Sequence, residues 1–316
     1  MGEDRALTVA LITHPACLEH DTGPWHPECP DRLRVVLRAL EAEEFAPLMR
    51  EAAPLATVGQ LCRVHTETFV QAILDIAPLP DQRVAIDADT IVSQGSREAA
   101  LRAAGAAVHG VDAVMEGWAH RVFAAVRPPG HHAERTQAMG FCLFSNAAVA
   151  ARHAQARWGL QRVAVVDFDV HHGNGTQDVF YDDPTLFYAS SHQFPCYPGT
   201  GRATERGVAE NVINAPLAPG SAGAAFRAAW SETILPALEK FAPELLIVSA
   251  GFDAHKADPL AQLRLETADF GWITERLIEI AGRHSRGRLV SVLEGGYDLD
   301  ALAASAALHV RTLLQA

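Results

Sequence analysis

The chain has few cysteines, and they are not arranged as disulfide or thiolate metal sites usually are. Its 316 residues include five cysteines, an odd number, and no Cys-x-x-Cys pair. Lysine is scarcer still, since Lys240 and Lys256 are the only two and arginine supplies nearly all the positive charge. The thiol pattern argues against a disulfide framework and a thiolate zinc site, so we expect a reducing compartment.

The sequence has fewer basic than acidic residues, and it lacks long apolar runs. Acidic residues number 38 against 26 basic ones, which gives a formal net charge of -12 at pH 7. Such a balance argues against nucleic acid or an anionic membrane as the main partner. Glu3, Asp4 and Arg5 precede only the short apolar run 6–12, which is unlike a signal peptide. With no run of about 20 apolar residues, we expect a cytoplasmic protein.

Short apolar runs alternate with longer amphipathic ones along the chain. The short runs predict strands at 7–13, 122–127, 163–169, 185–190, 244–250 and 289–294. The amphipathic runs predict helices at 97–115, 146–158, 224–241, 268–283 and 299–314. Several strands are apolar throughout, as strands buried on both faces of a parallel sheet are. The alternation therefore predicts an α/β fold with a mainly parallel sheet between two helical layers, in one large domain or two smaller ones.

Two stretches rich in proline predict loops. Residues 18–32 contain three prolines among polar residues, which predicts a rigid loop before a helix that starts near Asp31. Residues 215–223 combine proline and glycine and predict a surface loop.

The segment 165–176 is the most informative part of the sequence. Asp167, Asp169 and His171 are spaced two apart, directly after the apolar run 163–166. Residues two apart in an extended strand point to the same side, so one strand end would place two carboxylates and an imidazole together. Such groups repel each other or stay unsatisfied unless a cation joins them, which predicts a divalent metal. The alternative is an ordinary acidic strand end followed by a turn.

Five polar segments each follow a predicted strand. They are Arg127-Pro-Pro-Gly-His131-His132, Asp167-Phe-Asp169-Val-His171-His172, Ser190-Ser191-His192, Gly251-Phe252-Asp253 and Glu294-Gly-Gly-Tyr297. Ligands of parallel α/β sheets bind beyond the carboxyl ends of the strands, so the five segments predict one shared site. Asp253 is the natural third metal ligand beside Asp169 and His171. One nitrogen and two carboxylates leave open positions, as catalytic zinc sites do, and also suit Fe(II), Co(II) or Mn(II).

Two histidines and a tyrosine are the candidate catalytic groups. His131 and His132 lie on a Pro-Pro-Gly turn that fixes the backbone, and paired imidazoles beside a metal are typical of acid/base chemistry. Each needs a partner for its second ring nitrogen, and Asp167 and Asn174 are the candidates. Asp167 would then support a histidine rather than bind the metal. Tyr297 follows two glycines, so its phenol could approach the metal and hydrogen-bond a developing oxyanion.

These segments resemble the histone deacetylase superfamily, which includes the acetylpolyamine amidohydrolases and shares its fold with arginases. The resemblance runs from His14 to Asp298 and is strongest in segments 127–132, 140–146, 167–176, 197–201, 250–253 and 294–297. It implies the three-layer arginase-deacetylase fold in a single catalytic domain over residues 1–316. It also implies hydrolysis of acetyl or related acyl groups from N-acyl-lysine side chains or similar linear amides.

The resemblance assigns a role to each candidate residue. Asp169, His171 and Asp253 would bind one zinc ion. His132 would act as general base and acid, with His131 as its electrostatic partner and Tyr297 as the group that polarises the carbonyl. Residues of the narrow substrate channel would be Gly140, Phe141 and Tyr197, with Asp89 at its rim. A structural potassium ion would be held, partly through backbone oxygens, by Asp167, Asp169, His171, Ser190 and Ser191.

Two positions indicate the subtype that the chain resembles. Asn174 stands where class I enzymes carry aspartate, and the loop at Asp21 to Pro24 is class II-like, which points to class II enzymes and their bacterial relatives. Leu260 stands where polyamine-selective relatives carry a glutamate. Without that charge, acyl-lysine or other neutral-tailed amides are favoured over acetylpolyamines. The resemblance also allows a homo-oligomer, because relatives often pair subunits through the loop at 18–32.

Two other functions fit parts of the pattern. An arginase-like binuclear manganese ureohydrolase would need more bridging carboxylates, whereas His172 and Asn174 follow His171 here. Two metal ions per chain would identify that enzyme. A non-enzymatic binding protein would have no need of the complete set of histidines, carboxylates and tyrosine described above.

Overall fold

The computed structural model describes residues 7–315, so Glu3, Asp4, Arg5 and Ala6 lie outside the described residues. Ten strands form within this range: β1 (Val9–Thr13), β2 (Met49–Ala52), β3 (Arg83–Ala85), β4 (Ile91–Ser93), β5 (Arg121–Ala124), β6 (Val163–Asp167), β7 (Leu186–Gln193), β8 (Val212–Leu217), β9 (Leu245–Ala250) and β10 (Leu289–Leu293). Eight of them make one sheet in the order β2-β1-β5-β10-β9-β6-β7-β8, and every neighbouring pair is parallel. β3 and β4 form a separate antiparallel hairpin.

Helices connect most of these strands. They are α1 (Pro30–Ala39), α2 (Val58–Leu61), α3 (Glu67–Leu74), α4 (Ser96–Glu116), α5 (Asn146–Trp158), α6 (Asn174–Phe180), α7 (Gly223–Ala229), α8 (Leu235–Phe241), α9 (Thr267–His284) and α10 (Leu299–Leu314). The predicted helices 146–158 and 299–314 have the predicted bounds, and two others differ by one residue at each end. Over residues 7–315, no helix has both the length and the apolar character needed to cross a bilayer.

The helix predicted at 224–241 is interrupted. A π-helical turn, Trp230–Ile234, separates α7 from α8, and Pro236 lies at the start of α8. Proline has no N–H to donate, and its ring crowds the carbonyl four residues earlier. The wider π turn accommodates this local mismatch without ending the helical segment.

Helices cover both faces of the sheet. Gly110 of α4 lies so close to β5 that an added Cβ would come within 3.1 Å of Val122. The next strand residue, Phe123, packs against His309 of α10 with ring centroids 5.6 Å apart. Successive strand residues point to opposite faces, so α4 and α10 lie on opposite sides. This is the predicted three-layer arrangement.

Four sequence predictions about the sheet need correction. The strand predicted at 163–169 ends at Asp167, so Asp169 and His171 lie beyond the strand. The strand predicted at 185–190 continues to Gln193, because β8 pairs with it as far as Leu217. Ser190, Ser191 and His192 therefore lie inside a strand rather than beyond its end. The loop predicted at 215–223 begins within β8, whose Pro216 is tolerated because β8 is an edge strand. The strand predicted at 122–127 ends at Ala124.

Candidate active site

The polar segments meet at the carboxyl edge of the sheet. β5, β10, β9, β6 and β7 are consecutive neighbours in the sheet order. Four of the segments lie at or beyond the carboxyl ends of the first four strands, and the fifth lies within the second half of β7. The parallel register places Asp167 level with Ser249 of β9 and Ser190 of β7. The single shared site that the sequence predicts thus follows from the order of the strands.

Asp169, His171 and Asp253 form a buried group that could hold a metal ion. One ligand atom from each lies within 4.8 Å of the others. His171 Nδ1 is 3.2 Å from Asp169 Oδ1 and 3.1 Å from Asp253 Oδ2. The three predicted ligands, which come from two neighbouring strand ends, therefore converge with their donor atoms facing one another.

Backbone amides hold both carboxylates in place. Asp169 Oδ2 accepts a hydrogen bond from Gly295 N at 2.8 Å, and Asp253 Oδ1 accepts one from Val170 N at 2.8 Å. A Cβ at position 295 would come within 2.2 Å of Asp253 Oδ2 and 2.5 Å of Asp169 Oδ2. Only glycine allows the loop after β10 to approach the carboxylates this closely.

The charges of this group favour a bound cation. Burial and the neighbouring charge of Asp169 raise the pKa of Asp253 to about 7. Burial also disfavours the charged form of Asp169, but the charge of His131 and hydrogen bonds from His171 hold the pKa of Asp169 below its usual range. Two buried carboxylates this close compete for protons in the absence of a metal, and a divalent ion would stabilise both.

His131 and His132 have different partners on Nδ1. His131 Nδ1 lies 2.9 Å from Asp167 Oδ2, which also accepts a hydrogen bond from the Tyr188 hydroxyl at 3.2 Å. His132 Nδ1 lies 2.8 Å from Asn174 Oδ1. The structure thus pairs each histidine with one of the two partners that the sequence offered.

The two imidazoles have pKa values shifted in opposite directions. Burial works to lower the pKa of His131, but the charges of Asp169 and Asp167 outweigh it and raise that pKa to about 10. Burial and the neighbouring His131 lower the pKa of His132 well below its ordinary value of 6.5. The pKa shifts therefore favour the charged form of His131 and the neutral form of His132.

Tyr297 is held between a cation and an aromatic ring. The Arg32 guanidinium lies 4.8 Å from the centre of the phenol ring, and the ring of Phe141 is 5.8 Å away. Gly296 has a φ of +125°, a conformation that residues with a side chain rarely adopt. Burial raises the pKa of the Tyr297 phenol well above 10 although Arg32 opposes the shift, so the phenol keeps its proton.

A cavity of about 210 Å³ opens onto these groups. Its lining consists of Asp89, His132, Gly140, Phe141, His171, Tyr197, Leu260 and Tyr297. This set contains all five residues predicted to contact substrate, together with one metal-ligand candidate and two catalytic candidates. His26 supports the wall, because its ring packs edge-on against Phe141 at 4.9 Å and its Nε2 lies 3.0 Å from the Asp89 carbonyl oxygen.

A buried charge cluster behind the site has no counterpart in the sequence predictions. Glu28 is bound by Arg127, with Nε to Oε1 at 2.5 Å, and by Arg32, with Nη1 to Oε1 at 2.9 Å. Glu294 Oε2 accepts a hydrogen bond from Gly130 N at 2.7 Å and so fixes the turn that carries the two histidines. The position of Arg127 and Glu294 directly after apolar runs could have indicated buried charges. The local sequence does not identify the partners of these charges.

The residues predicted to hold potassium lie beside the metal group. Ser190 is level with Asp167 in the sheet, and its hydroxyl is 2.8 Å from His192 Nδ1. The Ser191 hydroxyl accepts a hydrogen bond from Trp230 Nε1 at 2.9 Å. Both serines are buried.

Comparison with known proteins agrees with this geometry. The histone deacetylase domain model matches residues 26–313. The chain is 43% identical to an uncharacterized protein of Synechocystis, over 97% of this chain and 99% of that protein. It is 39% identical to a histone deacetylase-like amidohydrolase of Pseudomonas aeruginosa, over 91% and 81% of the two chains.

A solved structure shows the same fold. The crystal structure of the HDA15 HD domain superimposes with a TM-score of 0.91 at 35% identity, covering 98% of this chain and 88% of that one. The predicted arginase-deacetylase fold is thereby confirmed. The chain belongs to the histone deacetylase family and is a hydrolase that acts on acetylated amides.

Proposed function

We propose that this enzyme is a zinc-dependent amidohydrolase that removes acetyl or related acyl groups from N-acyl-lysine side chains or similar linear amides. The observation that carries the proposal is the convergence of three kinds of group on one narrow cavity. His171 of the metal group, the neutral His132 and the protonated Tyr297 all line it. A linear amide that enters this cavity would meet all three together.

Asp169, His171 and Asp253 would hold the zinc ion. Two carboxylate oxygens and one imidazole nitrogen fit a catalytic zinc site, and the same donors also accept Fe(II) or Co(II). The raised pKa of Asp253 supports this assignment, because a divalent ion would relieve the repulsion that causes it. When bound, such an ion polarises a carbonyl and makes water a stronger nucleophile.

His132 would accept the proton of the attacking water at Nε2. Asn174 Nδ2 donates to Glu134 Oε1 at 2.7 Å, which orients the amide so that its Oδ1 faces His132 Nδ1. An amide oxygen only accepts hydrogen bonds, so His132 carries its proton on Nδ1 and keeps the Nε2 lone pair free. The charged His131 beside it stabilises negative charge that develops in the cavity, and a histidine then returns the proton to the leaving amine.

Tyr297 would hydrogen-bond the carbonyl oxygen as it becomes an oxyanion. Its raised pKa keeps the O–H as a donor at neutral pH. A single donor of this kind typically contributes about 10²–10³ in rate.

The cavity wall favours a linear, apolar chain next to the amide. Phe141 and Tyr197 line the cavity, and burial of each methylene between them contributes about 0.8 kcal/mol. Leu260 gives the wall no charge with which to bind a cationic polyamine. We therefore favour acyl-lysine over acetylpolyamine substrates. The second of these remains the main alternative, because Asp89 also lines the cavity.

We also propose that potassium binds beside the metal group. Asp167, Asp169, His171, Ser190 and Ser191 would hold it through backbone and hydroxyl oxygens. The sheet register that aligns Asp167 with Ser190 supports this proposal. Each serine hydroxyl keeps a lone pair after the contacts it already makes.

A hydrolysis screen of the zinc-loaded protein tests the proposed function. Acetyl-lysine peptides, longer acyl-lysines, acetylpolyamines and acetylated arylamines would be compared by kcat/KM. We expect acyl-lysine peptides to be the best substrates. Higher kcat/KM for acetylpolyamines would overturn the substrate class, and release of urea from a guanidinium substrate with two manganese ions bound would favour the ureohydrolase alternative.

A further inference from the structure

Asp258 connects the two loops that carry Leu260 and Tyr297. Its Oδ1 accepts a hydrogen bond from Leu260 N at 3.0 Å, and its Oδ2 accepts one from Tyr297 N at 2.7 Å. The side chain is buried, and the Asp258 backbone N–H donates to the His255 carbonyl oxygen at 2.9 Å. A single fixed carboxylate therefore joins the loop after β9 to the loop after β10.

Tyr297 needs this anchor because of the glycines before it. Gly295 must be glycine to fit against the metal-binding carboxylates, and Gly296 takes a φ of +125°. Two consecutive glycines leave the following residue free to pivot unless its own backbone is held. Arg32 Nε donates to the Gly296 carbonyl oxygen at 2.5 Å, and Asp258 holds the Tyr297 N–H. Both the carbonyl and the N–H of the peptide that leads into Tyr297 are thus held by hydrogen bonds.

We propose that Asp258 is a positioning residue for hydrolysis. Its carboxylate fixes the phenol of Tyr297 relative to Leu260, which forms part of the cavity wall. The alignment of an amide carbonyl with the phenol then depends on Asp258, although Asp258 is absent from the cavity lining. This inference rests on the proposed role of Tyr297 in amide hydrolysis.

The variant Asp258→Asn separates positioning from general stability. One carboxylate oxygen becomes an NH₂ group that faces an N–H, so one of the two anchoring hydrogen bonds is lost. We expect kcat to fall about 10- to 100-fold, as the loss of a charge-assisted bond permits, while KM changes less. Asp183→Asn is the matched control. Asp183 Oδ1 accepts a hydrogen bond from Thr185 N at 2.9 Å, as Asp258 Oδ1 does from Leu260 N, two residues further along the chain in each case. Asp183 is not part of the cavity lining.

A double-mutant cycle with Tyr297→Phe gives the decisive measurement. If Asp258 acts through Tyr297, Asp258→Asn will lower kcat by less than about threefold in the Tyr297→Phe background. If Asp258→Asn lowers kcat by the same factor with and without Tyr297→Phe, the proposal is overturned. An unchanged kcat in Asp258→Asn alone would also overturn it. If Asp258→Asn does not fold, Asp258→Glu, which keeps the charge but moves it by one methylene, enters the same cycle. Turnover by the unmodified enzyme tests the proposed function separately, since only the coupling between the two positions concerns Asp258.

Discussion

His131 and His132 are neighbours in the chain with ring centroids 4.0 Å apart, yet one is paired with a carboxylate and the other with an amide. Their pKa values are shifted in opposite directions: the charges of Asp169 and Asp167 outweigh burial and raise the pKa of His131 to about 10, whereas burial and the neighbouring His131 lower the pKa of His132 well below 6.5. Two groups with opposed pKa shifts in one site are a common basis for dividing acid and base roles. Asn174 gives His132 an uncharged partner, so replacing Asn174 by a carboxylate should alter the pH dependence.

Asn174→Asp should move the acid limb of activity to higher pH. A carboxylate on Nδ1 favours the imidazolium and raises the pKa of His132 by about 1 unit or more. The base works only when it is neutral, so kcat/KM would be lost at a higher pH as the solution is acidified. A pH profile of kcat/KM measures this shift. Gln161→Glu adds the same charge at an exposed position and should leave the profile in place; an unshifted profile in Asn174→Asp would contradict the role of His132 as base.

Tyr297→Phe should lower kcat by about 10²–10³, because it removes one donor to the oxyanion. KM and the unfolding temperature should change little, since the ring keeps its contacts with Arg32 and Phe141. Steady-state kinetics and thermal unfolding are the measurements. Tyr181→Phe makes the same change in an exposed tyrosine and serves as control. Full turnover in Tyr297→Phe would remove Tyr297 from the mechanism.

Local sequence patterns were sufficient to predict the central sheet. Mainly apolar runs identified β6, β9 and β10, in which every residue is buried. The same patterns did not reveal β2, whose four residues are all exposed, or β8, which contains a proline and an asparagine. Edge strands lack the continuous burial that produces an apolar run, so periodicity cannot detect them.

The candidate site divides in a similar way. The two-residue spacing of Asp169 and His171 is local, and strand order then brings Asp253 beside them. The contacts of Glu28 with Arg127 join residues 99 positions apart, and that of Asp258 with Tyr297 joins residues 39 apart. No local pattern encodes such pairs, because neither residue of a pair indicates its distant partner. The catalytic and substrate-binding roles themselves remain predictions.

Asp253→Asn should abolish tight metal binding. The change removes one of two anionic ligands and keeps the shape of the side chain. Analysis of divalent metals should find one ion per chain in the unmodified protein and far less in the variant. Added zinc should raise the unfolding temperature of the unmodified protein but not that of Asp253→Asn, since a ligand stabilises the state that binds it. Asp178→Asn, at an exposed position, is the control. Two divalent ions per chain would contradict a site for a single divalent metal.

Leu260→Glu should shift preference toward acetylpolyamines. A carboxylate in the cavity wall would attract a cationic chain, and even a gain of about 1.4 kcal/mol gives a tenfold change in kcat/KM. We expect the ratio of kcat/KM for acetylspermidine to that for an acetyl-lysine peptide to rise at least tenfold. Leu260→Gln has nearly the same shape without the charge and should leave the ratio close to its starting value. Equal shifts in both variants would show that shape, rather than charge, sets the preference.

His309→Gln should weaken the pH dependence of stability below pH 6.5. His309 is buried far along α10, and burial lowers its pKa to about 3. Thr274 Oγ1 donates to the Phe270 carbonyl oxygen at 2.6 Å, so it accepts from His309 Nδ1 at 2.7 Å, and His309 Nε2 accepts from the Ser291 hydroxyl at 2.8 Å. Protonation of Nε2 would break the last of these hydrogen bonds.

The sign of the effect follows from the lowered pKa. The unfolded chain takes up a proton near pH 6.5 and the folded chain only near pH 3, so the contribution of His309 is fully present above 6.5 and is lost as the pH falls towards 3. The loss should reach about 1.4 kcal/mol per pH unit for one proton. Urea unfolding at a series of pH values from 7 to 5 would compare the slopes of the two proteins, and the other buried histidines contribute equally to both. Parallel slopes would mean that His309 binds a proton in the folded state as readily as in the unfolded one.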